Sequence, residues 1–139
     1  MKTLREEVEI NAAPDRVWAL LGDPASAHRY VPGVASSRLE GATRICVTAD
    51  GQEIHEAISE RSDNTRSYRY EHVKTPMPVK LSRGQFSVQP MANGSRSKVT
   101  VEAGLEALAP EMEGRLAEMM GMGLKQTLAN LRTVIEKGS

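Results

Sequence analysis

The sequence predicts an α+β domain in which a curved antiparallel sheet wraps one long C-terminal helix. Three observations carry this. The first ten residues alternate apolar and charged side chains, Val34 to Leu108 is a run of strand-like segments cut by turn signals, and the residues after Pro110 switch to a helical period. A sheet needs its apolar face covered, and only that last helix is long enough to cover it.

In the first strand Leu4, Glu6, Val8 and Ile10 share one face while Arg5, Glu7 and Glu9 share the other, the alternation of a half-buried strand. Asn11 leads into Ala12 to Leu21, where Pro14 suits a first helical turn and Val17, Trp18, Leu20 and Leu21 form an apolar stripe. This helix is expected to end near Gly22, with Trp18 in the core beneath it. After Asp23-Pro24, Ala25 to Val31 reads as a second short helix, closed by Pro32-Gly33. Breaks at Glu40-Gly41, Asp50-Gly51, Ser62-Asp63-Asn64, Thr75-Pro76-Met77-Pro78 and Asn93-Gly94 divide Val34 to Leu108 into about six strands, so the first strand makes the sheet seven-stranded. Beyond Pro110, Leu116, Met119, Met120, Gly123, Thr127, Leu131 and Val134 fall near one side of a helix reaching Lys137, with a bend expected at Gly121 and Gly123.

The 139 residues suit one domain, 1–139, with a single core. Lys and Arg number 18 against 18 Asp and Glu, so no net field draws the chain to nucleic acid or to an anionic membrane. No stretch approaches the roughly 18 apolar residues that span a bilayer, which argues against integral membrane association. The charged N-terminus lacks the apolar run of a signal peptide, and cytoplasmic residence is the expectation. Cys46, the single cysteine, has no disulfide partner and suits a small buried hydrophobe. Three scattered histidines lack the spacing of a zinc site, and no glycine-rich phosphate or dinucleotide motif is present, so no cofactor is expected. Of these histidines, His28 and His55 are expected to face solvent.

Val8-Glu9-Ile10-Asn11-Ala12-Ala13-Pro14-Asp15-Arg16-Val17-Trp18, followed by Pro32-Gly33-Val34, resembles the START-like or Bet v 1-like (SRPBCC) superfamily. Gly41-Ala42-Thr43-Arg44, Asp50-Gly51, Glu56-Ala57-Ile58, Tyr68-Arg69-Tyr70 and Pro76-Met77-Pro78-Val79 are similar to its bacterial polyketide cyclase/dehydratase-type branch, which also resembles the plant abscisic-acid receptors. The resemblance covers nearly the whole chain. It implies a helix-grip fold, with two short helices after strand 1 and the long C-terminal helix enclosing a cavity. It does not imply one reaction, because the superfamily includes lipid and hormone carriers as well as polyketide aromatases and cyclases.

Between Glu56 and Gly84 the resemblance to the receptors implies that Glu56, Tyr70, His72 and Ser82 line the pocket. Strand parity adds Ile54 and Ile58 on Glu56's side, and turns Val99, Val101, Ala103 and Leu105 inward while Lys98, Thr100 and Glu102 face water. One strand conflicts. The resemblance turns Arg44, Cys46 and Thr48 inward, whereas hydrophobicity alone buries Ile45, Val47 and Ala49. Both hold if a terminus or a partner chain, as in a homodimer, covers the outer surface there, and the inward Arg44 is preferred. The expected pocket then comprises Arg44, Glu56, Tyr70 and His72 with Ile54, Ile58, Ser82, Phe86, Val101, Met119, Gly123 and Thr127, the glycine leaving room for a ligand.

In this pocket Arg44 suits an anchor for a carboxylate, enolate or phenolate, Glu56 a proton acceptor or donor, and His72 a proton shuttle; these three are the catalytic candidates. Each has a plainer reading beside it. Arg44 and Glu56 also make a structural ion pair that sets strand register, His72 a hydrogen-bonded sheet residue, and Tyr68 and Tyr70 packing. Met112, Met119, Met120 and Met122 are adaptable core filler or ligand lining. Ser82 has no nucleophile arrangement that sequence can establish. Three functions remain open: a binding protein for a small hydrophobic or amphipathic ligand, a polyketide cyclase/aromatase/dehydratase-type enzyme, and an interaction module with a vestigial cavity.

Overall fold

The N-terminal alternation forms strand β1 (Lys2–Ile10) in the computed structural model, which describes residues 1–138. Helix α1 (Pro14–Leu21) follows, with Pro14 in its first turn, where a missing N–H costs nothing. Strands β2 (Val34–Glu40), β3 (Thr43–Thr48), β4 (Glu53–Ser62), β5 (Ser67–Lys74), β6 (Val79–Met91) and β7 (Arg96–Ala107) form the meander, and α2 (Glu113–Glu136) is the long helix. All pairings are antiparallel in the order β1-β7-β6-β5-β4-β3-β2. The turns fall where the punctuation placed them. Gly51 takes φ +89° between β3 and β4, and Asn93 and Gly94 take φ 59° and 86° between β6 and β7.

Helix α2 packs mainly on β1 and β7 at one side of the concave face. Ile10, Val17, Leu21, Val99, Val101, Leu128 and Leu131 form the principal core there, while Leu105, Ala107, Leu116 and Ala117 form a second cluster near the start of α2. Each fully buried Leu or Val stabilises the fold by about 1.5 to 3 kcal/mol. The bend expected at Gly121 and Gly123 does not interrupt the helix. Trp18 lies in the core, its indole Nε1 donating to Asp63 Oδ1 at 2.8 Å and the Arg61 guanidinium 5.2 Å from its ring centre.

Several expectations need correction. The segment after Asp23 is a 3-10 helix, Pro24–Arg29, since six residues opened by a proline are too few to establish a stable α-helix. Residues Pro110–Met112 likewise form a 3-10 turn before α2 begins. Thr100 is buried although it lies on the outer face, paired across the sheet with Glu7 and Ser87. His55 is half-buried, with Nε2 2.8 Å from Glu53 Oε1. Met112, Met119 and Met122 are exposed rather than core.

On β3 the inward reading holds, and of the residues that hydrophobicity alone would bury only Ile45 is buried, Val47 being half-buried and Ala49 exposed. Arg44 and Cys46 are buried on the concave side, and Ile45 is buried on the other. Its cross-strand neighbours are Arg38, which ion-pairs with Glu53, and His55, whose Nε2 lies 2.8 Å from the same carboxylate, so Ile45 is covered without a terminus or a second chain.

Candidate functional site

Register assembles the site. Arg44 on β3 pairs with Glu56 on β4, and Glu56 pairs with His72 on β5, so one line of cross-strand partners carries a cation, a carboxylate and an imidazole along the concave face. Two further pairings, Tyr70 with Gly84 and Tyr68 with Phe86, set aromatic rings beside that line. Gly84 is required, because a Cβ there would run into the Tyr70 ring and hydroxyl.

Arg44 Nε donates to Glu56 Oε1 at 2.8 Å, and Nη1 donates to Tyr68 Oη at 3.3 Å. Its Nη2 finds no acceptor among the described residues and is not sealed off as the Tyr30 and Thr100 hydroxyls are. The Cys46 thiol donates to Glu56 Oε1 at 3.7 Å. His72 Nε2 stands 3.5 Å from Glu56 Oε2, while its Nδ1 lies 2.8 Å from Ser82 Oγ. Tyr70 meets His72 edge-on at 5.7 Å and Phe86 at 5.8 Å between ring centres.

Burial works against every charge here, and partners decide which survive. It opposes the Arg44 guanidinium, but attraction to Tyr68 and Glu56 outweighs it and holds the side chain charged. Burial lowers the His72 pKa and outweighs the opposing pull of Glu56, so the imidazole is neutral at neutral pH. Burial first, and then the Glu56 charge, push the Cys46 thiol up to about 11 and raise the Tyr70 phenol as well. The result is one compensated ion pair among neutral polar groups.

These groups form the polar end of a cavity of about 340 Å³, within the size range of small-molecule sites. Arg44, Glu56, Tyr70 and His72 line it, as do Ile54, Phe86, Met119, Gly123 and Thr127. Met119 stands at the mouth, since it is also exposed. Three expected lining residues do not reach the cavity. Ser82 is buried against His72, Val101 is enclosed in the core, and Ile58 packs against that same core. A Cβ on Gly123 would meet nothing within 4 Å, so the helix leaves open space there.

Sequence reasoning missed a second part of the wall. Val31, Pro32 and Val34 line it from the end of the expected second helix, its closing turn and the start of β2, and Met77 does so from the β5–β6 loop. Their apolar character inside turn segments was the available signal. Cys46, taken as inert filler, shares Arg44's parity and also lines the cavity, as do Leu116, Met120 and Leu124 of α2. Tyr30 had no signal at all; its buried hydroxyl has no hydrogen-bond partner among the described residues. Among those residues no group of three or more His, Cys, Asp or Glu is placed to hold a metal ion, and no helix is long and apolar enough to cross a membrane.

The same architecture recurs in solved structures. The protein XoxI from Bacillus cereus superposes with a TM-score of 0.85 at 24% identity, over 97% of this chain and 96% of that one. A START superfamily protein from Mycobacterium smegmatis gives 0.83 at 12% identity, over 99% of each chain. The di-domain ARO/CYC protein BexL, from a biosynthetic pathway, gives 0.84 at 18% identity, with 98% of this chain matching 47% of that one. No curated protein matches the sequence. The family model described as "Polyketide cyclase / dehydrase and lipid transport" matches residues 1–136. The chain therefore belongs to the polyketide cyclase/dehydrase and lipid transport family.

Proposed function

We propose that the protein binds a small, mainly apolar molecule with one polar end, held in the cavity between the concave sheet, α2 and the Val31 to Val34 segment. The observation that carries this is the division of the cavity wall. Aliphatic and thioether side chains, among them Val31, Ile54, Met77, Leu116 and Leu124, make up most of it, and Arg44, Glu56, Tyr70 and His72 gather at one end. An apolar volume with a few convergent polar groups is the usual build of a small-molecule site. Arg44 keeps a free Nη2 for a ligand oxygen, Tyr70 offers a phenol, and the exposed Met119 gives a flexible edge to the mouth.

A second reading, an enzyme of the cyclase or dehydratase type, is favoured by the 3.5 Å approach of His72 Nε2 to Glu56 Oε2. An imidazole and a carboxylate facing one cavity are equipped to move a proton on a bound substrate. Family membership is compatible with either.

Native mass spectrometry of freshly purified protein tests the binding reading. A discrete mass adduct of one small molecule per chain, released on unfolding, is expected. A chain that carries nothing and takes up no member of a panel of bicyclic ketones and phenols would contradict it.

A further inference from the structure

The cavity wall can be counted charge by charge. Strand β3 contributes Arg44 and Cys46, β4 contributes Glu56, and β5 contributes Tyr70 and His72. Every other group that faces the cavity, from α2, the Val31 to Val34 segment and the β5–β6 loop together with Ala27, Ile54 and Phe86, is uncharged. Tyr68 touches Arg44 from behind, and Ser82 on β6 touches His72. One cation and one anion therefore stand 2.8 Å apart and cancel.

The His72 ring has a polar neighbour at each nitrogen. Glu56 Oε1 is taken by Arg44 and Cys46, and Oε2 faces His72 Nε2. Nε2 stands 3.5 Å from that carboxylate oxygen and Nδ1 lies 2.8 Å from Ser82 Oγ, so each ring nitrogen has a group beside it that can accept a hydrogen bond from its proton. Ser82 is thus a positioning residue that holds the ring beside Glu56. A carboxylate ligand arriving alone would leave an uncompensated negative charge in a largely apolar cavity, which is costly. An uncharged oxygen would not.

We infer that the polar end of the cavity is built for an uncharged oxygen acceptor, such as a ketone, aldehyde, ester or phenol oxygen, and that a carboxylate enters only together with one proton. This rests on the binding reading above. The proton comes from solvent and adds to the unprotonated ring nitrogen of His72, whose neighbour, the Glu56 carboxylate or Ser82, accepts a hydrogen bond from it. No other bond is made or broken.

A matched pair of probes tests it, 2-acetylnaphthalene and 2-naphthoate, which differ little in shape but by one charge. Calorimetric titration from pH 6 to 8.5, in buffers of different ionisation enthalpy, reads affinity and proton uptake together. The ketone is expected to bind with unchanged affinity and no proton. The carboxylate is expected to take up about one proton and to lose up to about tenfold in affinity per pH unit. Carboxylate binding that is independent of pH and takes up no proton would overturn the inference while leaving the binding reading intact. If neither probe binds, the binding reading is what suffers, and nitrogen NMR of the His72 ring in the ligand-free chain decides the charge assignment. A neutral ring at pH 7 upholds it; an imidazolium overturns it.

Discussion

Arg44 and Glu56 face each other across β3 and β4 with Nε donating to Oε1 at 2.8 Å, both side chains withdrawn from solvent in the wall of the cavity. The pair is held on one side by Tyr68 and on the other by His72. Neither charge is tolerable there without the other, and that dependence gives the first prediction.

Replacing Glu56 by Gln leaves a buried guanidinium without its carboxylate and should destabilise the fold by about 3 kcal/mol in urea unfolding. The double replacement Arg44→Met with Glu56→Leu removes both charges at similar volume and should return stability to within about 1 kcal/mol of the parent. Ligand affinity should fall in both variants, because the anchor is lost or altered. A single variant as stable as the parent would show that water reaches the pair and that it is an ordinary surface contact.

Gly84 gives the second prediction. A side chain there collides with the Tyr70 ring, so Gly84→Ala must push the ring toward the cavity at a cost of about 1 to 3 kcal/mol. Gly114→Ala is the control, since a Cβ there meets nothing and helix propensity improves by up to about 1 kcal/mol. Unfolding midpoints that move in opposite directions support the packing; two unchanged midpoints contradict it.

The third prediction concerns acid. The folded-state His72 pKa lies below its ordinary value of 6.5 because the ring is buried. The unfolded chain therefore binds the proton more readily, and His72's contribution is complete above pH 6.5 and lost as pH falls through the folded-state value. His72→Gln should flatten that part of the stability profile between pH 7.5 and 5. If parent and variant lose stability in parallel, the ring is not held neutral by burial.

Much of this was legible in the sequence because two periods carry it. Leu4 to Ile10 and Val99 to Leu105 alternate so regularly that the strands and their inward faces follow from a period of two, and the glycine turns at Gly51 and Gly94 fixed where the strands fold back. Arg44 was legible only in part, since Ile45 beside it competes for the interior, and sequence does not show that Arg38, His55 and Glu53 could cover an isoleucine on the outer face. The loop-borne wall was not legible. Val31, Pro32 and Met77 have no period to give their direction, and only the path of the chain brings them over the sheet. Ser82 was read as a lining residue from the resemblance, which gives a position but not a depth; the cavity wall includes His72, whose Nδ1 lies 2.8 Å from Ser82 Oγ, but not Ser82 itself.

The most direct test of the central claim uses Gly123, where a side chain would project into the cavity without striking anything first. Gly123→Leu should keep or raise stability, by up to about 1 kcal/mol from helix propensity, while filling the space a ligand needs. Calorimetric titration of parent and variant with 2-acetylnaphthalene reads this directly. The account predicts one saturable site per chain in the parent and an affinity lower by about tenfold or more in the folded variant. Equal affinity in both would place the bound molecule elsewhere and contradict the cavity as the binding site.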